Sequence, residues 1–265
     1  MPYVIRDSVR LYYEQEGHGS PPIVFIHGWC CDHTFFQPQF DHLKASHAVI
    51  SLDLRGFGRS DRPEHGYDIP ALADDVAWVC RELGLSKPVF AGHSLGGMIG
   101  IEIASRYPSL PGAVVGLDPG PIDPLPYVRS LFEAFVTQLE GPDGDAVRRT
   151  YIEGMFLATD NADHRQRIIE TMCSVPQWIA AEIIRGVLTW NGVGAIRLCY
   201  APLLVLLSKP GGSNAPDRLL ALKPDIHIGM TVGSGHFHQL DVPEQVTPMI
   251  ERFIQLAVSP HLQAA

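Results

Sequence analysis

The sequence predicts an α/β protein with a mostly parallel, doubly wound sheet and an inserted helical cap. Two observations support this. In the first half of the chain, short and continuously apolar runs alternate with helical patterns. Strand patterning then stops after Asp118 and returns only at Leu203. Continuously apolar runs suit parallel strands buried on both faces, and alternation with helices implies helices on both sides of the sheet.

The elements follow one another in a regular order. A first strand is predicted at 9–15, and a Gly- and Pro-rich turn at 17–22 follows it. Apolar runs predict further strands at 23–26, 48–52, 88–91, 114–117, 203–207 and 226–232. Amphipathic periodicity predicts helices at 69–83 and 97–107, between these strands.

The region after Asp118 lacks strand patterns and carries amphipathic ones at 127–139, 146–156, 164–173 and 177–188. Pro126, Pro142 and Pro176 interrupt it, as expected where helices begin or end. We therefore predict a core domain formed by 1–121 and 201–265, and a helical cap formed by 122–200.

Composition narrows the range of partners. Of the 265 residues, 46% are hydrophobic and 18% are charged, which is typical of a globular protein. The formal net charge is −9 and no run of Lys or Arg occurs, so nucleic acid is not expected as a partner. No apolar run approaches the roughly 20 residues of a membrane helix, so no membrane partner is expected. The expected partner is therefore a small-molecule substrate. The expected oligomeric state is a monomer or a homodimer.

The cysteines and the N-terminus predict a cytoplasmic protein. The five cysteines have neither disulfide nor zinc-ligand spacing, and Cys30 and Cys31 are adjacent. Residues 1–7 have neither the basic nor the apolar segment of a secretory signal. Reduced thiols in the cytoplasm are therefore expected.

The main chemical motif is Gly92-His93-Ser94-Leu95-Gly96, which lies between a predicted strand and a predicted helix. A Gly-x-Ser-x-Gly pattern in this setting is typical of a nucleophile elbow, a sharp turn that exposes the serine hydroxyl. A purely structural turn is the alternative. The context favours Ser94 as a nucleophile.

A second motif, His27-Gly28-Trp29, follows an early strand. Acyl transfer needs preorganised N–H donors for the oxyanion. The backbone N–H groups of Leu95 and Trp29 are the candidates, with Gly28 allowing close approach. An ordinary strand-to-helix loop is the alternative.

A third motif, at 233–237, contains His236, the candidate general base. His238 lies two residues later, so a metal site is an alternative. No Cys or carboxylate set accompanies the two histidines. We therefore expect His238 to be a partly exposed loop residue, and neither a metal nor a cofactor to be required.

These segments, together with Asp53-Leu54-Arg55-Gly56-Phe57-Gly58-Arg59-Ser60, resemble the α/β-hydrolase superfamily, and the chain resembles its serine carboxylesterase-like members. They occur in the family's order over nearly the whole chain. Ser94 separates this chain from haloalkane dehalogenases and epoxide hydrolases, which are similar but use Asp at the elbow. The resemblance assigns no catalytic role to 53–60.

The chain departs from the relatives that it resembles in the position of the acid, the carboxylate expected to orient His236. Many place it after the penultimate strand, but 208–214 read Ser-Lys-Pro-Gly-Gly-Ser-Asn, with Gly211 near the expected position. The family's other placement, after the strand that follows the elbow helix, falls on Asp118. Cofactor-free ring-cleaving dioxygenases of this fold, similar in their His-Gly-Trp-Cys segment, carry the acid there. Asp118 is the preferred acid, with Asp123, Asp217 and Asp225 as alternatives.

The cap is expected to supply the substrate pocket. The candidates are large apolar residues of the predicted helices, which could equally be plain core: Phe132, Phe135, Met155, Phe156, Trp178 and Trp190. Cys30 lies beside the oxyanion loop but has no base spaced to activate it.

The predicted activity is hydrolysis of a small to medium carboxylic ester, or a lactone, through an acyl-enzyme on Ser94. Two rivals stay open. One is a cofactor-independent oxygenase, in which His236 and Asp118 deprotonate a heteroaromatic substrate. The other is a non-catalytic ligand receptor. Leu95-Gly96-Gly97 after the serine favours hydrolysis, because those dioxygenases have His after the serine.

Overall fold

The computed structural model describes residues 2–209 and 214–258. Within them, one sheet has eight strands in the order β1-β2-β4-β3-β5-β6-β7-β8. The strands are β1 (Tyr3–Arg6), β2 (Val9–Glu16), β3 (Ile23–Ile26), β4 (Val49–Leu52), β5 (Val89–His93), β6 (Ala113–Leu117), β7 (Leu203–Leu207) and β8 (His227–Met230).

The sheet is parallel except at its first edge. Strands β3 to β8 pair in parallel, whereas β2 pairs antiparallel with both β1 and β4. The predicted fold class is therefore confirmed. Strand β1 was not predicted, because its four residues are mostly partly exposed and do not form a continuous apolar run.

The helices lie between the strands. They are α1 (Gln37–Leu43), α2 (Ile69–Glu82), α3 (Leu95–Arg106), α4 (Pro126–Leu139), α5 (Gly144–Glu153), α6 (Ala162–Cys173), α7 (Gln177–Thr189), α8 (Gly192–Arg197), α9 (Pro216–Leu222), α10 (His238–Asp241) and α11 (Pro243–Val258). A short 3₁₀ helix, His33–Phe36, precedes α1.

Apolar side chains cover both faces of the sheet. Every residue of β3 and β4 is buried. One face packs with Phe40 of α1 and Ile250 of α11, and the other with Val76 of α2 and Ile99 of α3. Burial on both faces explains why these strands read as continuous apolar runs.

The segment between β6 and β7 is helical throughout its regular structure. Helix α5 packs against α4 and α6, and α7 packs against α4. Helix α8 packs against α3 and α9. The division into a core and a cap at 122–200 stays a prediction, and the packing of α8 places 192–197 against the sheet's own helices.

The register of the parallel strands positions the chemistry. Ile26 of β3 pairs with Gly92 of β5, and Leu117 of β6 pairs with both His93 and Leu206. The strands therefore end at one level, and the residues that follow them lie at the same edge of the sheet, where ligands bind in such folds. No helix in the described part of the chain is long and apolar enough to span a membrane.

Candidate active site

Ser94 occupies a strained turn between β5 and α3. Its φ of 52° and ψ of −112° lie outside the regions that non-glycine residues favour. A Cβ at Gly92 would lie 2.1 Å from the Gly96 carbonyl oxygen, and one at Gly96 would lie 2.0 Å from that of Ile26. These two positions therefore require glycine, which is the physical reason for the Gly-x-Ser-x-Gly pattern.

Gly28 brings the loop after β3 against this turn. A Cβ there would lie 2.8 Å from His93 Nδ1 and 3.3 Å from Ser94 Cβ. Trp29 and Leu95 line the same cavity as Ser94. Leu95 is the first residue of α3, so its N–H has no intrahelical acceptor.

His27 fixes the orientation of this loop. Its Nε2 accepts a hydrogen bond from Leu54 N at 3.0 Å, so the proton lies on Nδ1, which donates to the Gly28 carbonyl at 2.8 Å. In a planar trans peptide the Trp29 N–H points away from that carbonyl, and hence away from His27. Burial lowers the pKa of His27, which keeps the ring neutral as both contacts require.

His236 and Asp118 are in direct contact. The distance from His236 Nδ1 to Asp118 Oδ2 is 2.7 Å. Burial acts to raise the pKa of Asp118, but the hydrogen bond and charge of His236 outweigh it and hold this pKa well below its usual range. Asp118 is therefore an anion that orients the imidazole.

Ser208 was missed as a member of this site. Its backbone N–H donates to Asp118 Oδ1 at 3.1 Å, and its hydroxyl donates to Oδ2 at 2.8 Å. Ser208 directly follows β7, the strand after which many relatives carry the acid itself. The parallel pairing of β6 and β7 was the signal that could have found it.

The backbone of His236 is held from two sides. Its N–H donates to the Met155 carbonyl at 3.0 Å, and its carbonyl accepts from His93 Nε2 at 2.9 Å. The His93 and His236 rings lie 4.6 Å apart. Burial, followed by the nearby His236, lowers the pKa of His93 well below its usual range.

Two cavities meet at His236. One cavity, of about 380 Å³, contains Ser94 and His236 in its wall and is named the inner cavity. The outer cavity, of about 500 Å³, adjoins it and shares Asp118, Tyr151, Met155, Lys209 and His236 with it. Among the described residues, no hydrogen bond joins Ser94 to His236, and such contacts often tighten only when substrate is bound.

The predicted pocket residues divide into two groups. Phe132 and Met155 line the inner cavity, and Phe156 lines the outer one. Phe135 lies behind the lining, with its ring 5.9 Å from Trp29 and 4.3 Å from Tyr151.

Two further placements need correction. Trp178 is 46% exposed and packs on Tyr67, because it lies on the solvent side of α7, away from the inner-cavity residues Ile184 and Val187. Trp190 is outside both cavity linings and donates its indole N–H to Glu102 at 2.8 Å.

The alternative acids are engaged elsewhere. Asp123 binds Arg218, and Asp225 pairs with Lys223 at 3.1 Å. Asp217 is exposed in the first turn of α9. Gly211, where many relatives place the acid, lies outside the described residues.

His238 is not a partly exposed loop residue, so that expectation was wrong. It is fully buried in α10, and its Nδ1 lies 3.0 Å from Thr231 Oγ1. Burial lowers the pKa of His238 to about 4. In the described ranges, no group of three or more His, Cys, Asp or Glu residues is arranged to hold a metal ion.

Cys30 is buried beside the loop that carries Trp29. Burial raises the pKa of its thiol, which keeps the group protonated. A protonated thiol is a weak nucleophile, so Cys30 is a weaker candidate than Ser94, which lines the inner cavity.

Comparison with known proteins identifies the family. A family model described as "alpha/beta hydrolase fold" matches residues 21–165. The AB hydrolase superfamily protein YisY of Bacillus subtilis is 44% identical over 102 residues, which are 38% of each chain. A 2-(acetamidomethylene)succinate hydrolase of Mesorhizobium japonicum is 36% identical over 110 residues, 42% of this chain and 39% of that protein. These matches span about two fifths of the curated relatives.

The likeness in structure extends over the whole chain. A thermophilic esterase from Thermogutta terrifontis superimposes with a TM-score of 0.83, covering 97% of this chain and 98% of that one at 22% identity. At this identity the comparison establishes the fold.

Proposed function

The chain belongs to the α/β hydrolase fold family, and from this premise we propose that it is a serine hydrolase of small to medium carboxylic esters. The observation that carries the proposal is the cavity in which Ser94 and His236 meet, with His236 Nδ1 held by Asp118 at 2.7 Å. The imidazole thereby keeps Nε2 free to accept a proton.

Acylation begins when Ser94 Oγ attacks the ester carbonyl while His236 Nε2 takes the hydroxyl proton. The Asp118 carboxylate stabilises the imidazolium that forms. The tetrahedral oxyanion accepts hydrogen bonds from the N–H groups of Trp29 and Leu95. Collapse of this intermediate breaks the bond to the alcohol oxygen, which receives the proton from His236.

Deacylation repeats the same steps with water. His236 removes a proton from water, the hydroxide oxygen bonds to the acyl carbon, and the bond to Ser94 Oγ breaks. The proton returns to Ser94 and the carboxylic acid leaves. A lactone fits the same chemistry, with the alcohol and the acid leaving as one molecule. None of these steps needs a cofactor.

A second candidate is a cofactor-independent oxygenase, which the placement of the acid at the end of β6 favours. In that reaction His236 and Asp118 would deprotonate a heteroaromatic substrate, and Ser94 would only bind it. Oxygen consumption with aromatic substrates would identify this activity.

A panel of p-nitrophenyl esters and lactones tests the proposal. We expect turnover by the wild-type protein and a loss of about 10³- to 10⁶-fold in Ser94→Ala, measured as kcat/KM. The variant should fold, which circular dichroism checks. Turnover in Ser94→Ala equal to that of the wild type would refute the proposal, as would oxygen uptake without ester cleavage.

A further inference from the structure

Apolar surface dominates both cavities, but they differ in the side chains that each adds to the shared wall. The inner cavity is lined largely by apolar side chains, including Met98, Val128 and Phe132. The outer cavity adds hydroxyl-bearing Thr150, Ser208 and Ser234 to its lining. A substrate that spans both would meet more hydroxyl groups in the outer cavity than in the inner one.

Lys209 is the cation where the cavities meet. It lines both of them, and neither lining contains another Lys or an Arg among the described residues. The anion in the shared wall, Asp118, already accepts hydrogen bonds from His236 and Ser208. Lys209, by contrast, makes no hydrogen bond or ion pair within the described part of the chain.

The backbone of Lys209 lies next to a residue that holds Asp118. It follows Ser208, whose N–H and hydroxyl hold Asp118. Lys209 is exposed, so its flexible side chain can lie along the apolar part of the wall while its ammonium group stays hydrated. In a chain of formal net charge −9, this local cation offsets the repulsion that an anionic substrate would meet.

We infer that the site takes esters or lactones that bear a carboxylate, with Lys209 as the residue that recognises it; this rests on the proposed hydrolysis at Ser94. The ester carbonyl lies at Ser94, the apolar part of the substrate fills the inner cavity, and the carboxylate lies in the outer cavity against the Lys209 ammonium group.

Two matched substrates test the inference: 4-nitrophenyl hydrogen adipate, which is anionic, and its neutral methyl ester. In Lys209→Met we expect kcat/KM for the anionic ester to fall about three- to tenfold, mainly through KM, because the ion pair is partly solvated. The value for the neutral ester should change much less, so the ratio of the two values falls, and Lys209→Arg should keep the preference. The effect should shrink at high salt.

Arg149→Met is the control for net charge. Arg149 is exposed on α5 and lies outside both cavity linings, so its loss should leave the ratio of the two substrates unchanged. If Lys209→Met left the ratio of kcat/KM for the two esters unchanged, the inference would be overturned.

A binding measurement separates this inference from the proposed function. If the wild-type protein cleaves neither ester, the proposed hydrolysis fails, and calorimetric titration decides the role of Lys209. Adipic acid monoanilide and its methyl ester are titrated into Ser94→Ala with and without Lys209→Met. Weaker binding of the acid alone in the double variant supports the inference, and unchanged affinity overturns it.

Discussion

Asp118 receives hydrogen bonds on both carboxylate oxygens, from His236 and twice from Ser208. Burial opposes its ionisation, but these contacts lower its pKa below the unfolded value. A carboxyl group with a lowered pKa stabilises the fold above its unfolded pKa, and this contribution is lost only as the pH falls through the folded value. Asp118 is therefore charged throughout the neutral range, as an orienting acid must be.

Asp118→Asn should lower kcat by about 10²- to 10⁴-fold, because the amide cannot hold His236 in the tautomer that frees Nε2. Asp225→Asn is the matched control. It should lower kcat little, because Asp225 pairs with Lys223 and not with His236. Steady-state ester hydrolysis measures both. Wild-type kcat in Asp118→Asn, or an equal loss in Asp225→Asn, would contradict the role given to Asp118.

The sequence could predict those site residues that lie in a turn whose backbone geometry permits only glycine at neighbouring positions. Gly92 and Gly96 have no room for a Cβ, so Ser94 stands in a recognisable pattern. Ser208 and His93 act through contacts between separate strands and loops, and nothing in their local sequence marks them. The buried state of His238 was missed for the same reason.

At the scale of elements, the loop between α5 and α6 holds the loop that carries His236. Asp160 accepts from Gly235 N at 2.9 Å and from Leu157 N at 2.8 Å. The Met155 carbonyl accepts from His236 N, and the Phe156 and Phe237 rings stack 5.2 Å apart. The helical segment thus fixes the position of His236.

Asp160→Ala should lower kcat about tenfold with little change in KM, because a displaced imidazole slows proton transfer more than binding. Asp160→Asn keeps an acceptor oxygen and should recover part of the loss. Asp163→Ala, an exposed carboxylate in the first turn of α6, is the control. A change confined to KM, or to thermal stability, would show that Asp160 does not position His236.

The buried strands and the helices α2 to α7 were predicted to within a few residues, because their periodicity is strong. Helices α1 and α8 to α11 were not predicted. It was harder to predict which residues of a helix face solvent and which face the cavity. Helix α7 is buried on more than one side, so the pattern could not tell Trp178, which faces solvent, from Ile184, which faces the inner cavity. Only the packing of α7 against α2 and α4 decides this.

At the scale of the molecule, buried neutral histidines predict sensitivity to acid. Burial lowers the pKa of His27, His93 and His238. At these three positions the unfolded chain therefore binds more protons than the native protein below about pH 6.5, and their contribution to stability falls as the pH falls. Protonation of His238 alone lowers the free energy of unfolding by about 3 kcal/mol once the pH is below its folded pKa of about 4.

Urea unfolding at pH 7.5 and pH 5 measures this sensitivity. His238→Asn should be less stable than the wild type at pH 7.5 but should lose less free energy of unfolding between the two pH values. His18→Asn, at an exposed position, should keep the wild-type difference. An unchanged pH difference in His238→Asn would mean that His238 is not a source of the acid sensitivity.

Covalent labelling tests most directly whether Ser94 is a nucleophile activated by His236. The folded protein is treated with diisopropyl fluorophosphate, and peptide mass spectrometry locates the adduct. We predict one adduct per chain on Ser94, with no labelling in Ser94→Ala and strongly slowed labelling in His236→Ala. A folded protein that takes no adduct, or takes it on another residue, would contradict the account.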